Sequence, residues 1–197
     1  MKTKFRLMAF ICMLAMLATT SFTSCGDDDD DEGSSDPAAL VGTWRAVSEE
    51  DWDREDDGES SHDKDIFDNP DVEWELITFK EDGTWTSDSW GSDKKMFYHT
   101  SGTYTVSGNV LKTPQNYSGR STDAVASIDN GVISFDWTKY TWTDYTDRDD
   151  IKGKDYFDDS IEGHHTTFSV NGNTLTITFE ETVEGDWYKT VYIFTKQ

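Results

Sequence analysis

"HTTFSVNGNTLTITFEETVEGDWYKTVYIFTK", His165 to Lys196, decides the fold. Three strand-like runs are separated by Asn171-Gly172-Asn173 and by Glu184-Gly185-Asp186. Leu175, Ile177 and Phe179 oppose Thr174, Thr176 and Thr178, the period of two that sends successive side chains to opposite faces of a strand. The glycine in each short link supplies the positive φ that a tight hairpin turn requires. The chain therefore ends in an antiparallel meander with one face buried and the other wet.

The same grammar holds upstream. "VISFDWTKYTWT" (Val132–Thr143) follows Asp129-Asn130-Gly131, with Ile133, Phe135 and Trp137 on one face and Ser134, Asp136 and Thr138 on the other. "FYHTSGTYTV" (Phe97–Val106) meets Ser107-Gly108-Asn109 and returns as "VLKT" (Val110–Thr113). "DVEWELITFK" (Asp71–Lys80) turns at Glu81-Asp82-Gly83 into "TWTSDSW" (Thr84–Trp90), and "LVGTWRAVS" (Leu40–Ser48) opens the series. No window of about 11 or more residues carries a helical period. Eight or nine strands joined mostly by hairpins predict an all-β fold, an antiparallel up-and-down β-barrel of about eight strands, with a β-sandwich as the alternative. Two acidic segments, Glu49–Pro70 and Asp144–Gly163, break the rhythm and read as long loops, a length usually functional or disordered. Their aromatics, Trp52, Phe67, Tyr145, Tyr156 and Phe157, suit lids over a barrel mouth.

The 197 residues carry 40 acids against 17 Lys and Arg, a formal charge of -23. That balance excludes nucleic acid as a partner, since phosphate binding needs clustered bases. It equally opposes docking on anionic lipid by charge. Hydrophobic content is low, at 35 %, while aromatics reach 14 % with eight Trp. The aromatics argue against disorder and for a small core of large side chains.

Met1 to Ser24 reads as a signal peptide. Lys2, Lys4 and Arg6 form its basic region, and "LMAFICMLAML" (Leu7–Leu17) is too short for a permanent span, which needs about 20 apolar residues. Cys12 leaves with it, so Cys25 is the one thiol of the mature chain and has no internal disulfide partner. The chain divides into a leader (1–24), an acidic tether (25–38) and a barrel domain (39–197).

"TSC-G-DDDDDE" resembles the start of Bacteroidetes lipoproteins. The resemblance implies lipidation at Cys25 and stable anchoring by several acyl chains. It also implies that Asp27, Asp28, Asp29, Asp30, Asp31 and Glu32 direct export to the outer leaflet of the outer membrane. "LVGTW", "ITFKEDGTW" and "GTYTVSGNVL" together resemble the lipocalin-like domains of such lipoproteins. That family implies an eight-stranded calyx in which Trp44 of the Gly42-Thr43-Trp44 motif packs across the closed end. The loop after the first strand, here Glu49–Pro70, then lies at the open end. No Arg near the last strand matches the family's.

Chemistry is thin. Asp53, Glu55 and Asp57, followed by Gly58, have the alternate spacing of a calcium loop, but Lys64 stands where a bidentate Glu belongs. A solvated acidic loop is the competing reading. His164 and His165 point to opposite faces of a strand. No nucleophile elbow, phosphate loop or dinucleotide glycine pattern occurs, so no catalytic residue is assigned and no enzyme is expected. The expected function is a surface-anchored barrel taking a small hydrophobic or amphipathic ligand, with Trp74, Leu76, Phe135, Trp137, Ile177 and Phe179 facing inward. The alternative is a surface protein that recognises a glycan or a protein through its acidic, aromatic loops. No cofactor is expected beyond the calcium candidate.

Overall fold

The computed structural model describes residues 33–55, 57–67, 74–90, 96–122, 127–129, 132–134, 143–144, 153–157 and 166–197. The leader, Cys25, the acids from Asp27 to Glu32, and the ligand candidates Phe135 and Trp137 lie outside the described residues.

A single helical turn, α1 (Pro37–Leu40), is capped by the Asp36 carboxylate, which accepts from the Ala38 N–H at 2.9 Å. The other elements among the described residues are strands: β1 (Gly42–Arg54), β2 (Ser60–Ile66), β3 (Trp74–Phe79), β4 (Thr84–Trp90), β5 (Phe97–Thr103), β6 (Thr105–Ser107), β7 (Val110–Lys112) and β8 (Gln115–Ser121). There follow β9 (Ser127–Asp129), β10 (Val132–Ser134), β11 (Thr143–Asp144), β12 (Thr167–Asn171), β13 (Thr174–Val183) and β14 (Asp186–Lys196). β9 and β10 form a separate ribbon; the rest share one antiparallel sheet.

That sheet curls back on itself. Hydrogen-bonded neighbours run β8-β5-β4-β3-β1-β14-β13-β12-β7. Only Tyr104 separates β5 from β6, and only Thr113 and Pro114 separate β7 from β8. The two bent runs, β5–β6 and β7–β8, pair with each other along both halves. The second then reaches β12 through Val110 and Thr167. That seam is narrow. The Leu111 N–H donates to the Thr166 carbonyl at 2.8 Å, and the Phe168 N–H to the Asn109 carbonyl at 2.9 Å. Counting each bent run once, eight strands follow one another around the ring in sequence order. The fold is the antiparallel up-and-down barrel expected, closed so that few edges remain.

The two segments read as loops are corrected. Glu49–Pro70 is largely sheet: β1 continues to Arg54, turns, and returns as β2, with Ser48 to Arg54 paired with Ile66 to Ser60. The same stretch of β1 pairs on its other side with β14. Of Asp144–Gly163, residues 153–157 are described, and Tyr156 and Phe157 are buried in the core. Two further strands escaped the sequence pattern: β8, a polar run held between β5 and β11, and β9 of the separate ribbon.

The core joins Leu40, Trp44, Ala46, Ile77, Phe79, Trp85, Tyr104, Leu111, Phe168, Val170, Leu175, Ile177 and Phe194 with the two inserted aromatics. One end is locked by Trp44, which is 0 % exposed. Its indole N–H donates to the Leu40 carbonyl of α1 at 2.7 Å. The Lys196 ammonium lies 4.8 Å above the indole and donates to the Val41 carbonyl at 3.1 Å. Gly42 makes this possible. Its φ is +142°, and a Cβ there would lie 2.8 Å from the Lys196 Cε. Gly42→Ala should therefore cost roughly 1–3 kcal/mol, from backbone strain and displacement of Lys196, read as a lower urea midpoint with unchanged slope. An unchanged midpoint would mean that the lock is not formed.

Candidate functional site

The barrel carries its own stopper. Tyr156 packs against Trp85 with ring centroids 5.7 Å apart, and Phe157 against Tyr192 at 5.1 Å. Asp155 pins the segment: its carboxylate accepts the Thr113 N–H at 2.7 Å and the Thr113 hydroxyl. The Gln115 N–H donates to the Lys154 carbonyl at 2.8 Å, and the Gly153 N–H to the Gln115 carbonyl at 2.9 Å. Inside the wall, the Ser87 hydroxyl donates to Glu75 at 2.9 Å and also contacts the Tyr156 hydroxyl. Burial, reinforced by the Glu75 charge, pushes the Tyr156 hydroxyl well above its ordinary pKa. The interior therefore combines a packed apolar end with buried carboxylate and hydroxyl groups.

Among the ligand candidates, Ile177 belongs to this core and Phe179 lies on the same face of β13, also buried. Leu76 is corrected: it alternates with the inward Ile77, so it stands on the outer face of β3, opposite Arg45 and Asp88. It is buried there because the outer wall of β3–β5 has apolar cover of its own, Trp90 meeting Phe97 edge-on at 4.9 Å. Trp74 begins β3 and pairs with Trp90 along the backbone.

That outer wall also holds an acid–base pair with no motif in the sequence. Asp88 and His99 are cross-strand partners, Oδ1 to Nδ1 2.6 Å apart. Burial raises the Asp88 carboxyl above its usual range, and the His99 bond opposes this without cancelling it.

The β1–β2 hairpin forms a blade with two different faces. Register places Glu49, Asp51 and Asp53 on one face with Asp65, Asp63 and Ser61 of β2 and Tyr192, Thr190 and Tyr188 of β14. Asp51 accepts the Thr190 hydroxyl at 2.7 Å, and Asp53 the Ser61 hydroxyl at 3.0 Å. The other face carries Glu50, Trp52 and Arg54 with Lys64, His62, Lys189 and Trp187. Trp52 stacks on His62 at 4.8 Å, with the Lys189 ammonium 5.9 Å from its ring, and Arg54 lies 5.3 Å over Trp187. Glu50 pairs with Lys64 and lies 3.5 Å from His62; Glu180 accepts the Trp187 indole N–H at 2.9 Å and lies 4.0 Å from Lys189. Every residue of β2 is exposed, Ile66 by 60 %.

Two of the three carboxylates offered to calcium have partners within the hairpin. Asp53 holds Ser61, and Asp57 accepts the Glu59 N–H at 3.0 Å in the hairpin turn. Among the described residues, no group of three or more His, Cys, Asp or Glu side chains is arranged to hold a metal ion.

No protein-family model matches the chain, and no curated protein matches it. Among solved structures it is similar to the isotype 1 transferrin binding protein B of serogroup B Neisseria meningitidis, at 8 % identity and a TM-score of 0.36. The match covers 81 % of this chain and 26 % of that one, so the chain spans about a quarter of its length.

The Asp88 site generates a pH prediction. A carboxyl raised in the folded state contributes stability below its unfolded pKa, about 3.9, and loses it as pH rises through the folded value. Asp88→Asn keeps an acceptor for His99 and removes the buried charge. Its stability relative to the parent should therefore rise between pH 4 and pH 8, measured by urea midpoints. A relative stability that falls over that range contradicts the account.

Proposed function

We propose that this chain is a lipid-anchored surface protein whose barrel is a scaffold, and that it recognises an extracellular partner through the two-faced β1–β2–β14 blade. The observation that carries this reading is the stopper. Tyr156 and Phe157 occupy the barrel core, where a calyx would leave room for a guest. The blade, in contrast, projects charged and aromatic groups already fixed by stacking and ion pairs, which lowers the entropy lost on binding. Anchoring through Cys25 and outward export by the acidic run after it fit such a role, since the negative charge of the whole chain keeps it off anionic lipid. In the same proposal the domain is a lipocalin-like barrel, its end packed by Trp44 beneath Lys196. Recognition rather than catalysis is the function assigned.

Native mass spectrometry of the soluble chain beginning at Gly26 tests the choice between blade and cavity. The expected spectrum shows the bare polypeptide mass, with no enhancement of a naphthylamine fluorescent probe on addition of the protein. A co-purified apolar molecule, displaced stoichiometrically by that probe, would overturn the scaffold reading in favour of a ligand-binding calyx.

A further inference from the structure

β2 is paired on one side only among the described residues, with β1. The ladder fixes which of its backbone groups are taken. The Phe67 N–H donates to the Val47 carbonyl at 2.8 Å, and the Glu55 N–H to the Glu59 carbonyl at 2.8 Å. In an antiparallel ladder with this register, Ser61, Asp63 and Asp65 turn their backbone groups toward β1. Ser60, His62, Lys64 and Ile66 turn theirs to the outer edge. An open strand edge is a template for one more strand.

The side chains decide which strand. A second copy of β2 is refused. Centring an antiparallel pair on Asp63 sets Asp63 against Asp63 and His62 against Lys64. Sliding by one residue to centre on Lys64 sets Lys64 against Lys64 and Asp63 against Asp65. Like charges directly opposite are destabilising. Sliding the other way, to His62, leaves Asp65 and Ile66 beyond the partner strand. Charge of this kind on an edge suppresses the wrong partner while leaving the backbone free for a complementary one. The complement is set by the inner face of the blade, where Asp63 and Asp65 stand beside Asp51 and Glu49. On the outer face, Lys64 and His62 already share Glu50, so little unmet charge remains. Ile66 ends the edge as an exposed apolar contact.

We propose that the β2 edge captures an extended polypeptide segment by strand addition, and that this segment carries Lys or Arg at alternate positions, facing Asp63 and Asp65, with an apolar residue meeting Ile66. The inference rests on the reading of the blade as the recognition surface. It names the partner as a peptide strand, not a glycan, because the edge groups left unpaired among the described residues are backbone N–H and C=O in strand spacing.

The test uses a fluorescein-labelled peptide, Val-Lys-Thr-Lys-Thr-Lys-Thr-Thr, whose first two lysines oppose Asp65 and Asp63 in an antiparallel pairing while its leading valine opposes Ile66, and a peptide of the same composition with its lysines in one block. Fluorescence anisotropy is read with the whole mature chain at near-physiological salt. The alternating peptide should bind at least about tenfold more tightly than the blocked one, since net charge is equal and only strand-face matching differs. His62→Pro/Lys64→Pro removes outward-facing donors and no β1 ladder bond, so it should weaken the alternating peptide by about tenfold or more with little change in Tm. Asp63→Asn/Asp65→Asn keeps the whole backbone and should also abolish the preference, which covers the case in which the proline variant folds poorly. Equal binding of the two peptides, equal binding by parent and folded proline variant, or no binding at millimolar peptide each overturns strand addition. None of these outcomes bears on whether the barrel holds a guest, which the mass measurement decides separately.

Discussion

The structure depends on one buried indole. Trp44 closes the end of the barrel, and two distant pieces of chain meet on it: its own approach, with the Leu40 carbonyl of α1 and the Gly42 backbone, and the Lys196 side chain of the last strand, which Gly42 lets pass. A barrel of this size must tie its first and last strands together, and the long β1–β14 ladder does so along its full length. The lock sets where that ladder begins. A one-residue slip would carry Phe194 and Tyr192 from the core face to solvent, so the register it fixes also fixes the faces of the distant blade.

The blade then follows from alternation alone. Past the register shift between Ala46 and Ser48, β1 reads acid inward and mixed outward up to Arg54, and β2 answers in kind. Acids that sequence counting lumps into one negative total are thus sorted onto one face. The bases Arg54, Lys64 and Lys189 are gathered on the other, each held by an aromatic ring or a carboxylate. Individual exposed pairs of this kind contribute little to stability, typically about 0–1 kcal/mol. What they supply is fixed geometry on a surface that is otherwise strongly negative.

Much of the barrel was legible in the sequence because apolar residues mark it. β4 falls on Thr84–Trp90 as read, and β13 and β14 follow the Leu175, Ile177, Phe179 alternation and the last glycine turn. The blade reads as loop in the sequence for a physical reason. Asp51, Asp53, Asp63 and Asp65 are poor strand formers, and β1 is extended there by neighbours on both sides, not by its own propensity. β8 was missed likewise, since "QNYSGRS" shows no apolar period and is held by partners. Lys196 shows in the sequence only as a base in the last strand; the β1–β14 register is what sets it directly opposite Trp44. The Asp88–His99 pair had none, because eleven residues separate the two and only the β4–β5 register brings them together.

That the chain fills its own barrel is addressed most directly by aromatic proton NMR of the apo protein. Nuclear Overhauser contacts between the rings of Tyr156 and Trp85, and between Phe157 and Tyr192, should be present without any ligand and unchanged by added detergent or fatty acid. Absence of those contacts in the apo protein, with averaged, solvent-like ring shifts for Tyr156 and Phe157, would contradict the account and describe an open calyx instead.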